Sequence, residues 1–432
     1  MQLESTVRQL AAESKVSESL CKHVAALSEI LEQLSLDRNN PELLSFIGNA
    51  PIRLKKALDQ GNDEELSTFV QELGQLSSKD LKEFLRIYTT YFHLVNSLEQ
   101  HEISLINRKR EFEETPDTPR NESILEAVHV MKKQGYSFEE VLDVFNHMDI
   151  QPTITAHPTE ARRRSVLTKQ HEISEMVSKL GTDELTSDEE RHLRKEILNQ
   201  LKLLLLTDEV RAERMSVEDE VENGLYFFTH TIWDAIPRLY KDIRLAMETY
   251  YPMAYELYEG ELPIVLKYRS WIGSDRDGNP NVTSSVTWKT LIEQRKTVLE
   301  VYLKKLDHLR RYLSISYKET GISSELKESL KNEEIDTPLS QLYERRYQRE
   351  PYRRKITHIM QNISAQLHAL NYDKAEVLKQ SVEYTPTRFI HDLELIRASL
   401  IANGLQGMAE QGRLHDLLIC AKTFGFHMTS LD

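Results

Sequence analysis

Cysteine is nearly absent from this sequence, and long apolar runs are absent altogether. Only Cys21 and Cys420 occur among the 432 residues, far apart in the chain and outside any CxxC or Cys/His spacing. The sequence therefore suggests neither a disulfide framework nor a zinc site. Apolar runs such as residues 203–206 stop far short of the ~20 residues that a helix needs to span a bilayer. These absences favour a protein of the reducing cytoplasm without a membrane partner.

Positive charge is also in short supply. The 55 lysines and arginines are outnumbered by 69 aspartates and glutamates, which gives a net charge of −14. A nucleic-acid partner would require a basic face, so the composition argues against one. Glycine is scarce too, with 14 residues, while 40% of the chain is hydrophobic and 29% is charged. This balance is typical of a soluble helical protein.

Apolar periodicity divides the sequence into two regions. Residues 1–150 repeat apolar positions at helical spacing with few breakers, and we interpret them as an amino-terminal helical region. Within it, the pattern Ser137-Phe-Glu-Glu140 predicts a capping box. Residues 151–432 mix long helical stretches with strands, which predicts a mainly α fold with α/β character. The three predicted strands cover residues 152–156, 262–269 and 424–431.

The segment that follows the first predicted strand, residues 155–163, reads T-A-H-P-T-E-A-R-R. It places His157 at a turn from strand to helix, because Pro158 suits the first position of a helix and Glu160 its first turn. In α/β proteins catalytic side chains collect at the carboxyl ends of strands, and an imidazole is the usual proton carrier there. A capping histidine beside solvated arginines is the alternative interpretation.

The second predicted strand runs into a loop that is dense in charge and turn formers, residues 270–283. Arg276 could reach an anion in this loop, with Asp275 and Asp277 orienting it. The run Asp277-Gly-Asn-Pro is itself a strong turn signal, so Asp277 could instead serve the turn alone. Two predicted strands therefore end in loops that could carry chemistry.

These two loops closely resemble the amino-terminal signatures of phosphoenolpyruvate carboxylase, T-A-H-P-T-E followed by R-R and W-x-G-x-D-R-D-G-N-P. The resemblance extends over nearly the whole chain. Residues 1–6 do not resemble the phosphorylatable serine motif that plant members carry near their start, which favours a bacterial-type enzyme. It implies a helix-dominated, expanded TIM-like (β/α)₈ barrel, of which residues 151–432 would supply about the first three strands. Further similar segments lie at residues 91–100, 207–211, 224–228, 233–237, 350–353 and 424–432.

The resemblance also implies an activity, in which bicarbonate and phosphoenolpyruvate give oxaloacetate and phosphate by way of carboxyphosphate and the enolate of pyruvate. Oxaloacetate made in this way replenishes the tricarboxylic acid cycle. His157 matches the family's catalytic histidine, a general base toward carboxyphosphate. Arg163 and Arg164 match its paired arginines and are expected to bind substrate. Because successive helix positions point about 100° apart, Arg162, Arg163 and Arg164 cannot all face one ligand, so a structural ion pair is the alternative for at least one of the three.

Two further residues are assigned through the same resemblance. Trp271 matches a tryptophan of the apolar wall around carbon dioxide, for which plain core packing is the alternative. Arg211 is expected to support the site, although with Asp208 it could equally form an ion pair on a helix surface, because the two are three residues apart.

The resemblance predicts an incomplete enzyme, because family members are roughly twice as long as this sequence. The carboxylates that bind Mg²⁺ or Mn²⁺ are expected in the absent half, so no metal ligand is assigned here. We expect the 432-residue chain alone to be inactive, and the full-length enzyme to be a homotetramer. The alternatives are a non-catalytic truncated product, a subunit that requires a separate second half, or another barrel enzyme that acts on a phosphorylated carboxylate.

Overall fold

A computed structural model of the chain describes most of its residues. These are residues 17–36, 41–155, 163–180, 185–208, 216–258, 260–277, 279–371 and 383–432. Helices dominate them, and the strands are few and short, which confirms the prediction of a mainly α protein with some α/β character. The TIM-like barrel stays a prediction. None of the helices described here is both long and apolar enough to cross a membrane.

The chain divides into two compact units. The first unit comprises Met1–Glu114 and Thr159–Arg214, and the second comprises Thr115–Pro158 and Met215–Asp432. The predicted boundary at residue 150 separates an amino-terminal helical region from the first part of a barrel. It is a different kind of boundary from the division into compact units, and it stays a prediction.

The described part of the first unit is built from helices whose apolar faces pack together. In α1, Leu27 and Ile30 have no exposed surface, and neither do Ile173 and Val177 in α7. These pairs are three or four residues apart, so each forms one face of its helix. The helices are α1 (Glu18–Leu36), α2 (Pro41–Asp59), α3 (Asp63–Gln75), α4 (Ser78–Glu113), α7 (Arg164–Lys179) and α8 (Ser187–Leu206).

The second unit contains the strands and a larger helical core. In that core the ring of Trp233 stacks on Phe424, with centroids 5.0 Å apart, and the fully buried Tyr302 donates a hydrogen bond to the Gly425 carbonyl at 2.7 Å. Its helices are α5 (Ile124–Lys133), α6 (Phe138–His147), α9 (Val217–Phe227), a π-helical turn (Phe228–Ile232), α10 (Trp233–Tyr250), α11 (Pro252–Glu256), α12 (Ser284–Tyr312), α13 (Ser324–Asp336), α14 (Gln341–Arg346), α15 (Pro351–Ala369), α16 (Pro386–Ala402), α17 (Gln406–Glu410) and α18 (Arg413–Phe424).

Local sequence signals set several helix ends. The predicted capping box is confirmed, because the Ser137 side chain accepts from the Glu140 amide and the Glu140 side chain accepts from the Ser137 amide. The predicted helix at residues 207–211 is wrong at its start, since α8 ends at Leu206 and Thr207 is its extended C-cap. Asp208 therefore does not lie on a helix, and Arg211 lies outside the described residues.

Three short parallel strands form one sheet, in the order β1 (Thr153–Ile154), β2 (Arg269–Ser270) and β3 (Ser430–Leu431). Thr153 faces Arg269, and Arg269 faces Ser430. All three are shorter than predicted, and the third prediction is mostly wrong. Helix α18 continues to Phe424, and a turn with positive φ at Gly425 and Met428 precedes β3.

Candidate active site

The carboxyl ends of the three strands lie at one edge of the sheet. The Trp271 amide, just after β2, donates a hydrogen bond to the Ile154 carbonyl at the end of β1, at 2.9 Å. The Asp432 amide, just after β3, donates to the Ser270 carbonyl at 3.2 Å. Because the strands are parallel, this edge is where an α/β protein gathers catalytic loops. The loop predicted to carry Trp271 therefore begins beside the segment that leads from Ile154 toward His157.

The loop after β2 is held in a compact turn. The Ser270 hydroxyl accepts a hydrogen bond from the Ile272 amide at 3.1 Å, and the Ser274 hydroxyl donates to the Asp432 carbonyl at 2.8 Å. Gly273 has a φ of +78°, and a Cβ placed there would lie 2.9 Å from Cβ of Thr290 on α12. A side chain at this position would be strained and crowded, so the glycine of the W-x-G motif has a steric reason.

The charged residues of the loop divide between a turn and the solvent. The Asp275 carboxylate accepts a hydrogen bond from the Asp277 amide at 2.9 Å, which is an Asx turn. Gly278 of the predicted Asp277-Gly-Asn-Pro turn lies outside the described residues, so the role of Asp277 in that turn stays a prediction. Arg276 and Asp277 are exposed, and the indole of Trp271 is 45% exposed. The loop thus presents an indole and a guanidinium at the surface of the second unit.

Two of the remaining predicted residues lie outside the described part of the chain: His157 is within residues 156–162, and Arg211 is within residues 209–215. Arg163 is the N-cap of α7 in the first unit, exposed and without a side-chain capping bond, and Arg164 is the first residue of that helix. The structure therefore brings together the end of β1 and the Trp271 loop. Whether the arginines join them stays a prediction.

The comparison with known proteins decides the family. A model of the phosphoenolpyruvate carboxylase family matches residues 20–432. The chain belongs to this family. It is 40% identical over 417 residues to the phosphoenolpyruvate carboxylase of Rhodothermus marinus, a match that covers 96% of this chain and 44% of that protein. It is 33% identical over 369 residues to the enzyme of Roseiflexus castenholzii, covering 83% of this chain and 38% of that protein. The chain thus spans less than half the length of these carboxylases.

The carboxylase signature at β2 has a neighbour that the sequence analysis missed. Arg269, inside the strand, donates through Nε to the Gln151 side chain before β1, and its Nη1 lies 3.4 Å from Asp432 Oδ2 after β3. One guanidinium thereby contacts residues flanking both neighbouring strands. In the sequence Arg269 is only a charged residue at the end of a predicted strand, and this pattern is too common to identify it as a site residue.

The carboxylase family implies a divalent metal ion. Among them, no three His, Cys, Asp or Glu side chains converge where a metal ion could be held. The residues described therefore do not fit such an ion.

Proposed function

We propose that this chain is part of an enzyme that joins bicarbonate to phosphoenolpyruvate and releases oxaloacetate and phosphate. Its family supports this function. The observation that carries the proposal is the 2.9 Å hydrogen bond from the Trp271 amide to the Ile154 carbonyl. It puts the second signature beside the strand that leads into the first one. A cytoplasmic location and a role in supplying the tricarboxylic acid cycle are part of the same proposal.

In this proposal His157 is the general base. It is three residues beyond Ile154, so covalent chain length alone keeps their Cα atoms within about 11 Å. Bicarbonate oxygen takes the phosphoryl group of phosphoenolpyruvate, leaving the enolate of pyruvate. The imidazole then accepts the carboxyl proton of carboxyphosphate, whose C–O bond breaks to release carbon dioxide and phosphate. The enolate carbon attacks the carbon dioxide, and the proton leaves with phosphate. A positioned base contributes about 10²–10⁴-fold to such a step.

The other signature residues bind the substrates and shield the enolate from water in this scheme. The half-exposed indole of Trp271 would form an apolar wall that keeps water from protonating the enolate before it meets carbon dioxide. Arg276 on the same loop, with Arg163 at the N-cap of α7 and Arg164 at its first position, would bind the anionic groups of the substrates. A guanidinium suits this task because it donates several hydrogen bonds in a fixed plane. Asp275 shapes the loop through its bond to the Asp277 amide.

The divalent ion and the quaternary structure are proposed separately. Mg²⁺ or Mn²⁺ would be held by carboxylates beyond this sequence, and no step described above passes through the ion. The complete enzyme would be a homotetramer, which size-exclusion chromatography with light scattering can check.

An oxaloacetate assay tests the proposed function. The 432-residue chain would be mixed with phosphoenolpyruvate, bicarbonate and Mg²⁺, alone and together with the separately expressed carboxyl-terminal part of the Rhodothermus marinus enzyme. We expect activity only in the mixture. Activity of the chain alone would contradict our placement of the metal and phosphate groups outside it. Inactivity in the mixture, with both parts folded and associated, would favour a non-catalytic polypeptide.

A substitution in the active mixture tests the role of His157. We expect His157→Asn to reduce oxaloacetate formation by at least about 10²-fold, while some bicarbonate-dependent phosphate release continues. The matched control is His147→Asn on α6, whose side chain is 77% exposed, and we expect it to be unchanged. Equal oxaloacetate formation in the two variants would disprove the assigned role.

A further inference from the structure

A cavity of about 450 Å³ lies between α10, α12 and α18 of the second unit. None of its described lining residues belongs to the loops at the sheet edge. Leu417 and Cys420 on α18 are buried, and together with Pro237 they form an apolar part of the wall. Most of the other lining side chains are charged or can donate a hydrogen bond, so the cavity suits a polar ligand.

The indole of Trp233 forms part of this wall and lacks a hydrogen-bond partner. Trp233 is only 3% exposed, and its ring is held by stacking on Phe424. Its Nε1–H group donates to none of the described residues, yet the nitrogen is not sealed from solvent. An indole nitrogen can only donate a hydrogen bond, and buried tryptophans normally find an acceptor. A ligand atom that accepts a hydrogen bond would therefore fit against this wall.

Basic residues outnumber acidic ones around the cavity, although the whole chain carries a net charge of −14. Two aspartates line it, against four basic residues: Arg238 and Lys241 on α10, Lys305 on α12 and Arg413 on α18. Lys305 is paired with Asp234 at 3.1 Å, whereas the other three basic residues form no ion pair with a described residue. The cavity therefore attracts anions.

The second aspartate, Asp416, opposes this attraction. Burial raises the pKa of its carboxyl group, against the effect of the positive charges of Lys305 and Lys241. A bound anion would meet repulsion from this carboxylate. Replacing the carboxyl group with an amide should therefore strengthen anion binding, whereas removing a lysine or arginine should weaken it.

The arrangement favours a tetrahedral oxyanion over a carboxylate. The positive side chains come from three different helices, and the indole donor belongs to the wall between them. A phosphate group presents acceptor oxygens in several directions, whereas the two oxygens of a carboxylate lie in one plane. Arginine binds phosphate through paired donors, and lysine binds it as a point charge.

We propose that this cavity binds a phosphate group, which accepts a hydrogen bond from the Trp233 indole and pairs with the basic side chains of α10 and α18. Free inorganic phosphate and the phosphate group of a monoester would be held by the same donors. The site is separate from the arginines of the carboxylase signatures and does not rest on their proposed function.

Two-dimensional NMR of the indole N–H groups in the ¹⁵N-labelled 432-residue chain tests the site. The chain has three tryptophans, so Trp271→Phe and Trp288→Phe assign the Trp233 resonance by elimination and leave the core unchanged. Inorganic phosphate, added at constant ionic strength, should shift the Trp233 resonance in a saturable way. The Trp271 resonance reports separately on any binding at the carboxylase loop.

Two further probes define the ligand. Glycerol phosphate should produce the same saturable shift; equal affinity would assign the site to the phosphate group alone, and tighter binding would assign it to a monoester. Malonate carries a similar charge on two carboxylates and should bind at least about tenfold more weakly, because it cannot offer oxygens in the same directions.

Charge variants give effects of opposite sign. Arg238 and Lys241 are exposed, so replacing both with glutamine should preserve the fold, and it should weaken phosphate binding at least about fivefold. Asp416→Asn should strengthen binding by about two- to fivefold. The matched control is Lys304→Gln, an exposed lysine on α12 outside the cavity, which should bind phosphate like the original chain.

The absence of a saturable shift of the Trp233 resonance would overturn the proposal. Equal weakening by Lys304→Gln would overturn it too, because it would show a general effect of net charge. Weaker binding in Asp416→Asn, with its NMR spectrum otherwise that of the folded chain, would contradict an anion in the cavity. Equal affinity for malonate would rule out a phosphate site.

Discussion

Replacing Gly273 with alanine would show whether the loop of the second signature is held by sterics. Gly273 has a φ of +78°, and a Cβ built there falls 2.9 Å from Cβ and from Cγ2 of Thr290. Thr290 is only 3% exposed, on the first turns of α12. Its side chain therefore has little room to move away, and the loop that carries Trp271 would have to shift.

The expected cost has two parts. An L-residue in the left-handed region costs roughly 1–2 kcal/mol, and forcing a methyl group into a packed site typically costs about 1–3 kcal/mol. We therefore expect Gly273→Ala to lower the free energy of unfolding by about 2–5 kcal/mol. Gly135 separates the two parts, because it has a φ of +91° and no atom within 4 Å of a built Cβ. Gly135→Ala should cost only about 1–2 kcal/mol.

Urea unfolding followed by circular dichroism measures these differences. In the background of Thr290→Ala, which removes Oγ1 and Cγ2 of the threonine but keeps its Cβ, Gly273→Ala should cost about 1 kcal/mol less than in the original chain. The reasoning would be refuted if Gly273→Ala changed stability by less than about 0.5 kcal/mol. It would also be refuted if Thr290→Ala gave no relief.

Two further predictions concern buried titratable groups. Lys355→Ala should lower the unfolding free energy by about 3–5 kcal/mol, because it leaves two buried carboxylates unpaired; the exposed Lys327→Ala should change it by less than about 0.5 kcal/mol in the same urea titration. Burial, helped by the charges of Lys355 and Arg354, lowers the pKa of His358 to about 4 from 6.5. As the pH falls, the unfolded chain therefore takes up this proton before the folded chain does. The contribution of neutral His358 to the free energy of unfolding should be fully present above about pH 6.5, and up to about 3 kcal/mol of it should be lost as the pH approaches 4. His358→Gln should show a smaller fall between pH 7 and 4.5, and an equal fall would contradict the assignment.

Helices were predictable where the signal is local. The capping box at Ser137 and Glu140 is read from two residues three positions apart, and the structure contains both of its hydrogen bonds. A second capping box, between Thr186 and Glu189, begins α8 in the same way. Such bonds involve groups within one turn, so no distant part of the chain is needed to form them.

The third strand was predicted wrongly because a strand, and a helix end followed by a turn, can both bury alternating residues. Phe424, Phe426 and Met428 alternate with less apolar residues and are all buried, as in a strand. In the protein they enter the core from the end of α18 and the following turn. Alternation records which side chains are buried, and the turn conformation at Gly425 depends on the packing of Tyr302 and its neighbours.

The sequence by itself determined the family, the helical character and the two signatures at strand ends, because these depend on residue identity and short-range spacing. Only the tertiary structure decided that the Asp275 carboxylate accepts from the Asp277 amide, and that Arg269 contacts residues beside both neighbouring strands. It also decided that Lys355 is shared by Glu333 and Asp392. Those three residues lie on three helices, and no local pattern specifies which side chains meet when the helices pack.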